Sequence, residues 1–213
     1  MTKARYIVVE GPIGVGKTSL AKILANEFQA RTVFERVEEN PFLAKFYKAR
    51  ETFAFQNQTF FLLSRYQQQM ELTQQDLFNQ STVADYLFAK DAIFATLTLS
   101  NEELKLYQQI YGLLNARVVK PDLVIYLQAR PEVLYKRLKK RDKKYERSVT
   151  FEYLSEVAQA FNQFFFRYEE TPLLVVNTSE IDFVASSKDL ADLIREINKM
   201  GSGTQHYIPL GSR

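Results

Sequence analysis

The 213-residue chain contains no cysteine, which excludes disulfide frameworks, thiolate zinc sites and cysteine nucleophiles and fits a reducing compartment. Histidine occurs once, as His206. A catalytic triad or a multi-histidine metal site would need residues the chain does not have, so any catalysis rests on carboxylates, lysine, arginine and backbone groups. Only 7 Gly and 6 Pro stand against 17 Phe and 12 Tyr, a composition that excludes collagen-like, low-complexity and largely disordered readings. No stretch approaches the roughly 18 uncharged apolar residues of a membrane helix. Thr2, Lys3, Ala4 and Arg5 lead directly into a short apolar run, without the long apolar core of a signal peptide. A soluble, cytoplasmic protein that does not engage a membrane is expected.

What is present is ordinary globular material, 46% hydrophobic and 25% charged, enough for one sizeable core. The formal charge of +3 is unevenly spread. Lys136 to Arg147 holds eight Lys or Arg against two acids, a net of +6, so the rest of the chain carries −3. Positive charge concentrated in a dozen residues points to one local anionic partner rather than a general nucleic-acid coat. No aromatic interleaving or nucleic-acid motif accompanies it.

Tyr6 to Glu10 is a continuous apolar run closed by glycine and reads as a buried strand. Leu20, Ile23, Leu24, Ala25 and Phe28 follow at helical spacing, from Lys17 to Phe28. Thr32 to Phe34 predicts a short second strand, and Asn40-Pro41 a capped helix from Pro41 to about Arg50. Phe53 to about Asp76, free of Gly and Pro, predicts one long helix whose glutamines form a solvated face. Further strands are predicted at Ser81 to Ala84, Leu123 to Gln128 and Leu173 to Thr178. Helices are predicted at 91–97, 102–116, from Pro131 into the basic segment, 151–166 and 187–200. About five strands alternating with helices, several apolar on both faces, describe a parallel sheet covered on both sides. Residues 1–200 read as one α/β domain. The tail, 201–213, has three glycines and no periodicity, and either disorder or docking near the site is compatible with it.

Gly11-Pro12-Ile13-Gly14-Val15-Gly16-Lys17-Thr18 fits G-x-x-x-x-G-K-[ST] between an apolar strand and an amphipathic helix, the context this phosphate loop requires. Its glycines let backbone N–H groups turn inward around a phosphate, and the helix beginning near Lys17, with Thr18 and Ser19 in its first turn, adds its positive end. Lys17 supplies charge to the outer phosphates of ATP or another triphosphate, and the Thr18 hydroxyl is placed to coordinate Mg²⁺. The fold is therefore expected to be of the P-loop NTPase type. Kinase, motor and GTPase remain as classes. Size removes most motors, and the only Asn-Lys, Asn198-Lys199, lacks the aspartate of a guanine-reading N-K-x-D loop. A small phosphotransferase is favoured.

Five further blocks carry a resemblance: TVFERVEENPFLAKFY (32–47), QTFFLLSR (58–65), DYLFAKDAIFA (85–95), PDLVIYLQARPE (121–132) and RLKKRDKKYERSVTFEYL (137–154). In order and spacing they resemble the deoxynucleoside kinase family, particularly its bacterial purine-deoxynucleoside members, over nearly the whole chain to about residue 183. The resemblance implies that Glu35 contacts the 5′-hydroxyl and acts as base. It implies that Tyr47 and Glu146 hold the sugar 3′-hydroxyl, and that Gln58 reads the base edge, with Gln56 the neighbouring alternative. It further implies that Arg65 and Asp91 border the base, that Phe94 stacks on it, and that Arg137 and Arg141 close over the donor phosphates from a short basic lid at about 137–149. A homodimer through long helices is also implied, with the helix from Phe53 a candidate surface.

One departure stands out. The family's acidic residue and arginine at the end of the third strand read Asp85-Tyr86 here. The magnesium role survives on Asp85, while the missing arginine leaves Arg36, Lys90 or the lid as sources of its charge. Transfer of the γ-phosphoryl of ATP to a deoxynucleoside, purine favoured, is the expected reaction. A nucleoside monophosphate kinase such as a thymidylate kinase, which would need extra cationic groups for its acceptor, is the alternative. A non-catalytic nucleotide-binding regulator or a basic nucleic-acid module is the contrasting class.

Overall fold

A computed structural model of the chain describes residues 5–74 and 81–209, the side chains of 73 and 74 excepted. In chain order the elements are β1 (Tyr6–Glu10), α1 (Lys17–Glu27), β2 (Arg31–Val33), α2 (Leu43–Lys48), α3 (Arg50–Gln74), β3 (Thr82–Ala84) and α4 (Lys90–Thr98). Then come α5 (Asn101–Asn115), β4 (Leu123–Gln128), α6 (Pro131–Arg141), α7 (Phe151–Phe166), β5 (Leu173–Asn177), α8 (Ser187–Lys199) and β6 (Thr204–Tyr207). The strands form one parallel sheet in the order β2-β3-β1-β4-β5-β6. Every residue of β1 and β3 is buried, as are the first five of β4 and the first four of β5. Both faces of those strands are therefore covered, which is why their sequences are apolar without alternation.

The helices supply the cover through one apolar stripe each. On α7, Tyr153, Leu154, Val157, Ala158, Phe161 and Phe165 are buried at i, i+3 and i+4 spacing. Phe165 stacks on Tyr126 of β4 with ring centroids 4.1 Å apart. Aromatic pairs of this kind add about 0.5–1.5 kcal/mol beyond area burial, and the many Phe and Tyr residues are largely accounted for by such packing. At the start of α5, Ser100 and Glu103 form a reciprocal capping box that satisfies two otherwise orphaned amides.

Two features of the architecture differ from the sequence reading. The helix expected from Pro41 begins only at Leu43, after a 3₁₀ turn at Val37–Glu39. The reason is that the Asn40 side chain is committed elsewhere, accepting from Phe42 N at 2.9 Å and donating to Asn57 Oδ1 at 2.9 Å, which holds the chain in a turn. The sheet has six strands rather than about five, because Thr204–Tyr207 pairs in parallel with β5. The end of the long helix expected near Asp76 lies outside the described residues. No helix among the described residues is long and apolar enough to cross a membrane.

The sheet order fixes where a site can form. From β1 the chain runs to the edge strand β2 and returns to β3 beside β1 on one side, then crosses to β4 on the other. Ligands of such sheets sit beyond the carboxyl ends of the strands where the winding reverses. The carboxyl ends of β1, β2 and β3 deliver, respectively, the Gly11 loop, Glu35 and Asp85.

Candidate active site

The loop from Gly11 to Gly16 carries its three glycines at φ of +154°, +86° and +109°. At Gly14 a Cβ would lie 2.9 Å from the Leu134 carbonyl oxygen, so close approach to α6 and the positive φ both demand glycine. Beneath the loop, Glu10 is fully buried. One of its oxygens accepts from Gly11 N at 2.8 Å and the other from Leu87 N at 2.7 Å, welding the loop's first residue to the turn after β3. Burial pushes the Glu10 carboxyl up, against the opposing charges of Lys90 and Lys17. The Lys17 ammonium donates to the carbonyls of Gly11 at 2.7 Å and Pro12 at 3.2 Å, and burial pushes its pKa down.

Glu35 follows β2 and is gripped by two cations. Its Oε1 accepts from Arg65 Nε at 2.7 Å and from Nη2, and its Oε2 accepts from Lys90 Nζ at 2.8 Å. Burial alone would raise its pKa, but the charges of Arg65 and Lys90 outweigh that and bring it down to about 2. Asp85 sits between Glu35 and the loop. Its Oδ2 accepts from Thr18 Oγ1 at 2.5 Å and its Oδ1 from Glu35 N at 2.8 Å. A hydroxyl and a carboxylate side by side at the loop's mouth fit Mg²⁺, which takes one or two protein oxygens and completes its shell with water and phosphate. Among the described residues no three His, Cys, Asp or Glu gather into a closed cage, so most of that shell would come from solvent and substrate.

These groups face a cavity of about 450 Å³, within the range of small-molecule sites. Gly11, Gly14, Lys17, Thr18, Asp85 and Glu35 line one end. Phe61, Phe94, Phe161, Tyr47 and Tyr153 form aromatic walls, Phe94 meeting Phe161 edge to face at 5.7 Å. Arg65 spans the floor, its guanidinium 4.8 Å from the Phe61 ring centre and its Nη1 paired with Asp91. Burial pushes Asp91 up to about 6 even though the Arg65 charge opposes it. Gln58 lines the same cavity, and its Nε2 is buried without a hydrogen-bond partner. At the far rim Arg141 donates to Glu146 Oε2 at 3.1 Å. The Tyr47 phenol, raised well above its usual pKa by burial and by Tyr153 and Glu146, stays a neutral hydroxyl.

A deoxynucleoside kinase family model matches residues 7–201. The chain belongs to the deoxynucleoside kinase family. It is 35% identical over 205 residues to a deoxyguanosine kinase of Bacillus subtilis (strain 168), covering 94% of this chain and 99% of that protein. It is 32% identical over 198 residues to a deoxyadenosine kinase of Dictyostelium discoideum, covering 89% of this chain and 78% of the relative. In fold it is similar to the structure of deoxyadenosine kinase from M. mycoides with bound dATP, with a TM-score of 0.79, 22% identity, and coverage of 92% and 100% of the two chains.

In this family member the sequence-derived candidates are mostly brought together. Lys17, Thr18, Glu35, Tyr47, Gln58, Arg65, Asp85, Phe94, Arg141 and Glu146 line the one cavity. Gln56 is exposed, whereas Gln58 is buried and on the cavity lining. Asp91 lies behind Arg65 rather than on the wall, and Val15, Gly16 and Ser19 are in the loop and first helical turn but not on the lining. Arg137 parts from Arg141. Its guanidinium turns to the back of the loop, donating to the carbonyls of Val15 at 3.3 Å, Thr178 at 2.9 Å and Ile181 at 3.2 Å. Spacing at i and i+4 put both arginines on one helical stripe, but rotamers of so long a side chain can point them to different neighbours. Of the candidates for the missing arginine's charge, Arg36 pairs with Glu71 at 3.0 Å in a half-exposed position, whereas Lys90 is buried against Glu35. Glu10 read only as the end of a strand, although a carboxylate closing an apolar run just before a phosphate loop is itself a signal of a buried anchor.

Proposed function

We propose that this kinase transfers the γ-phosphoryl group of ATP to the 5′-hydroxyl of a purine deoxynucleoside with Mg²⁺. The observation that carries this reading is the bridge made by Asp85, which accepts from Thr18 of the phosphate loop and from the Glu35 backbone and so holds Glu35 close to the loop on the lining of one cavity. Glu35 accepts the 5′-hydroxyl proton as the new O–P bond forms and the bond to the leaving diphosphate breaks. Lys17 and the loop amides hold the donor phosphates, and Arg141 adds charge from a lid at about 137–149. Thr18 and Asp85 are the residues that would hold Mg²⁺, which would offset the negative charge of the donor phosphates there. Tyr47 and Glu146 hold the 3′-hydroxyl, Gln58 and Arg65 with Asp91 behind it meet the base, and Phe94 stacks on it. Arg137 serves by fixing the loop through Val15. Exposed Leu63 on α3 and Leu106 and Leu113 on α5 support a homodimer across those helices.

The test is incubation with ATP and Mg²⁺ across deoxyadenosine, deoxyguanosine, deoxycytidine, thymidine and thymidine monophosphate. Formation of purine deoxynucleoside monophosphate at a kcat/KM at least about tenfold above thymidine is expected. Product from the monophosphate alone would overturn the assignment. Acidity offers a further check. A general base works only while ionised, and the Glu35 value of about 2 lies below the ordinary 4.5, so protonation begins only as pH falls far below neutrality. The profile of kcat/KM between pH 8 and about 5 is expected to show no acid limb from Glu35, and a limb with a midpoint near 6 that disappears in Glu35→Gln would contradict this.

A further inference from the structure

Lys90 is 3% exposed and opens α4. Both facts are unfavourable for an ammonium, since burial strips its hydration and a helix N-terminus carries partial positive charge. Its position needs compensating anions, and two are in place: Glu35 Oε2 at 2.8 Å and Glu10 Oε2 at 3.8 Å. Those carboxylates come from different parts of the site. Glu10 holds the amide of Gly11, the first residue of the phosphate loop, while Glu35 belongs to the segment after β2 and faces the same cavity. Arg65 takes the other oxygen of Glu35 from the side of Asp91 and Phe61. The position after Asp85 is Tyr86, fully buried, and adds no cation there.

We infer that Lys90 is the positioning residue of this active site, an internal cation that fixes the Glu35 carboxylate in register with the phosphate loop by pairing with both Glu35 and Glu10. The inference rests on the kinase reading above, because it assigns Lys90 a task only if Glu35 meets the nucleophile. Removing the cation frees one carboxylate oxygen to swing, and misplacement by a fraction of an ångström weakens a step that depends on alignment. Arginine at the same position can keep a donor on Glu35.

Steady-state kinetics of the full chain, with the deoxynucleoside the wild type phosphorylates fastest, test this. Lys90→Met is expected to lower kcat by about 100-fold while leaving the KM for ATP and for the nucleoside within about threefold, and Lys90→Arg is expected to restore kcat to within about tenfold of wild type. Thermal melting of each variant reports folding. Should the methionine variant not fold, Lys90→Gln, which keeps a donor but no charge, is read by the same criteria. A kcat for the neutral variant within threefold of wild type overturns the inference, as does a loss confined to KM or an arginine variant no better than the neutral one. A wild type that phosphorylates no deoxynucleoside fails the kinase reading and takes this inference with it, a result distinct from an active enzyme indifferent to Lys90.

Discussion

Glu35→Gln is expected to lower kcat about 10³-fold, within the span general bases contribute, while ATP affinity stays within about threefold. The substitution keeps the size of the side chain and removes its capacity to accept a proton. Folding should survive it, because each cation that loses a partner retains another: Arg65 keeps Asp91, and Lys90 keeps Glu10. ATP affinity is spared because the loop is assembled without Glu35. Its first amide is held by Glu10 and its Val15 carbonyl by Arg137. Turnover by quenched-flow or coupled assay, together with calorimetric ATP titration, separates the two readouts. Turnover within tenfold of wild type would remove Glu35 from the role of base.

The second large effect concerns Gly11→Ala. At φ +154° an L-residue is strained whatever the space, and space is also lacking. A Cβ would run into the Leu127 carbonyl oxygen and lie 2.9 Å from Val15 Cγ1. Leu127 cannot give way cheaply, since it is fully buried in β4, between β1 and β5. Strain and overpacking together are expected to cost about 2–5 kcal/mol, and the displaced loop is expected to lose ATP binding by at least about 100-fold. Denaturant melts measure the first and ATP titration the second. A variant that melts like the wild type and binds ATP normally would show that the loop can re-form around the added methyl.

The parts of the fold legible in the sequence were those where one physical signal acted alone. Strands β1, β4 and β5 are buried on both faces and read as unbroken apolar runs, and the glycine pattern after β1 admits few conformations besides a phosphate loop. Strand β6 was illegible for the opposite reason. Its residues Thr204, Gln205 and His206 are exposed and only Tyr207 packs against the core, so no periodicity records the pairing with β5. Helix α2 was misplaced by two residues because Asn40 can cap a helix or close a turn, and its contact with Asn57, 17 residues away, decides between them. The site follows the same division. Glu35, Asp85 and Lys17 lie at strand ends or in the loop, where topology dictates direction. The separation of Arg137 from Arg141 and the pairing of Lys90 with Glu10 and Glu35 are long-range side-chain choices that spacing along the chain does not encode.

The strand order has a consequence for biosynthesis. β1 lies between β3 and β4, with Tyr6 beside Thr82 and Ile7 beside Leu123. As a nascent chain leaves the ribosome, its most apolar early strand has no second neighbour until some 120 further residues have been translated, roughly 6–25 s at common elongation rates. During that interval Ile7, Val8 and Val9 belong to a strand with one unpaired, aggregation-prone edge. Slowing elongation before β4 should therefore raise aggregation in the cell more than slowing it afterwards.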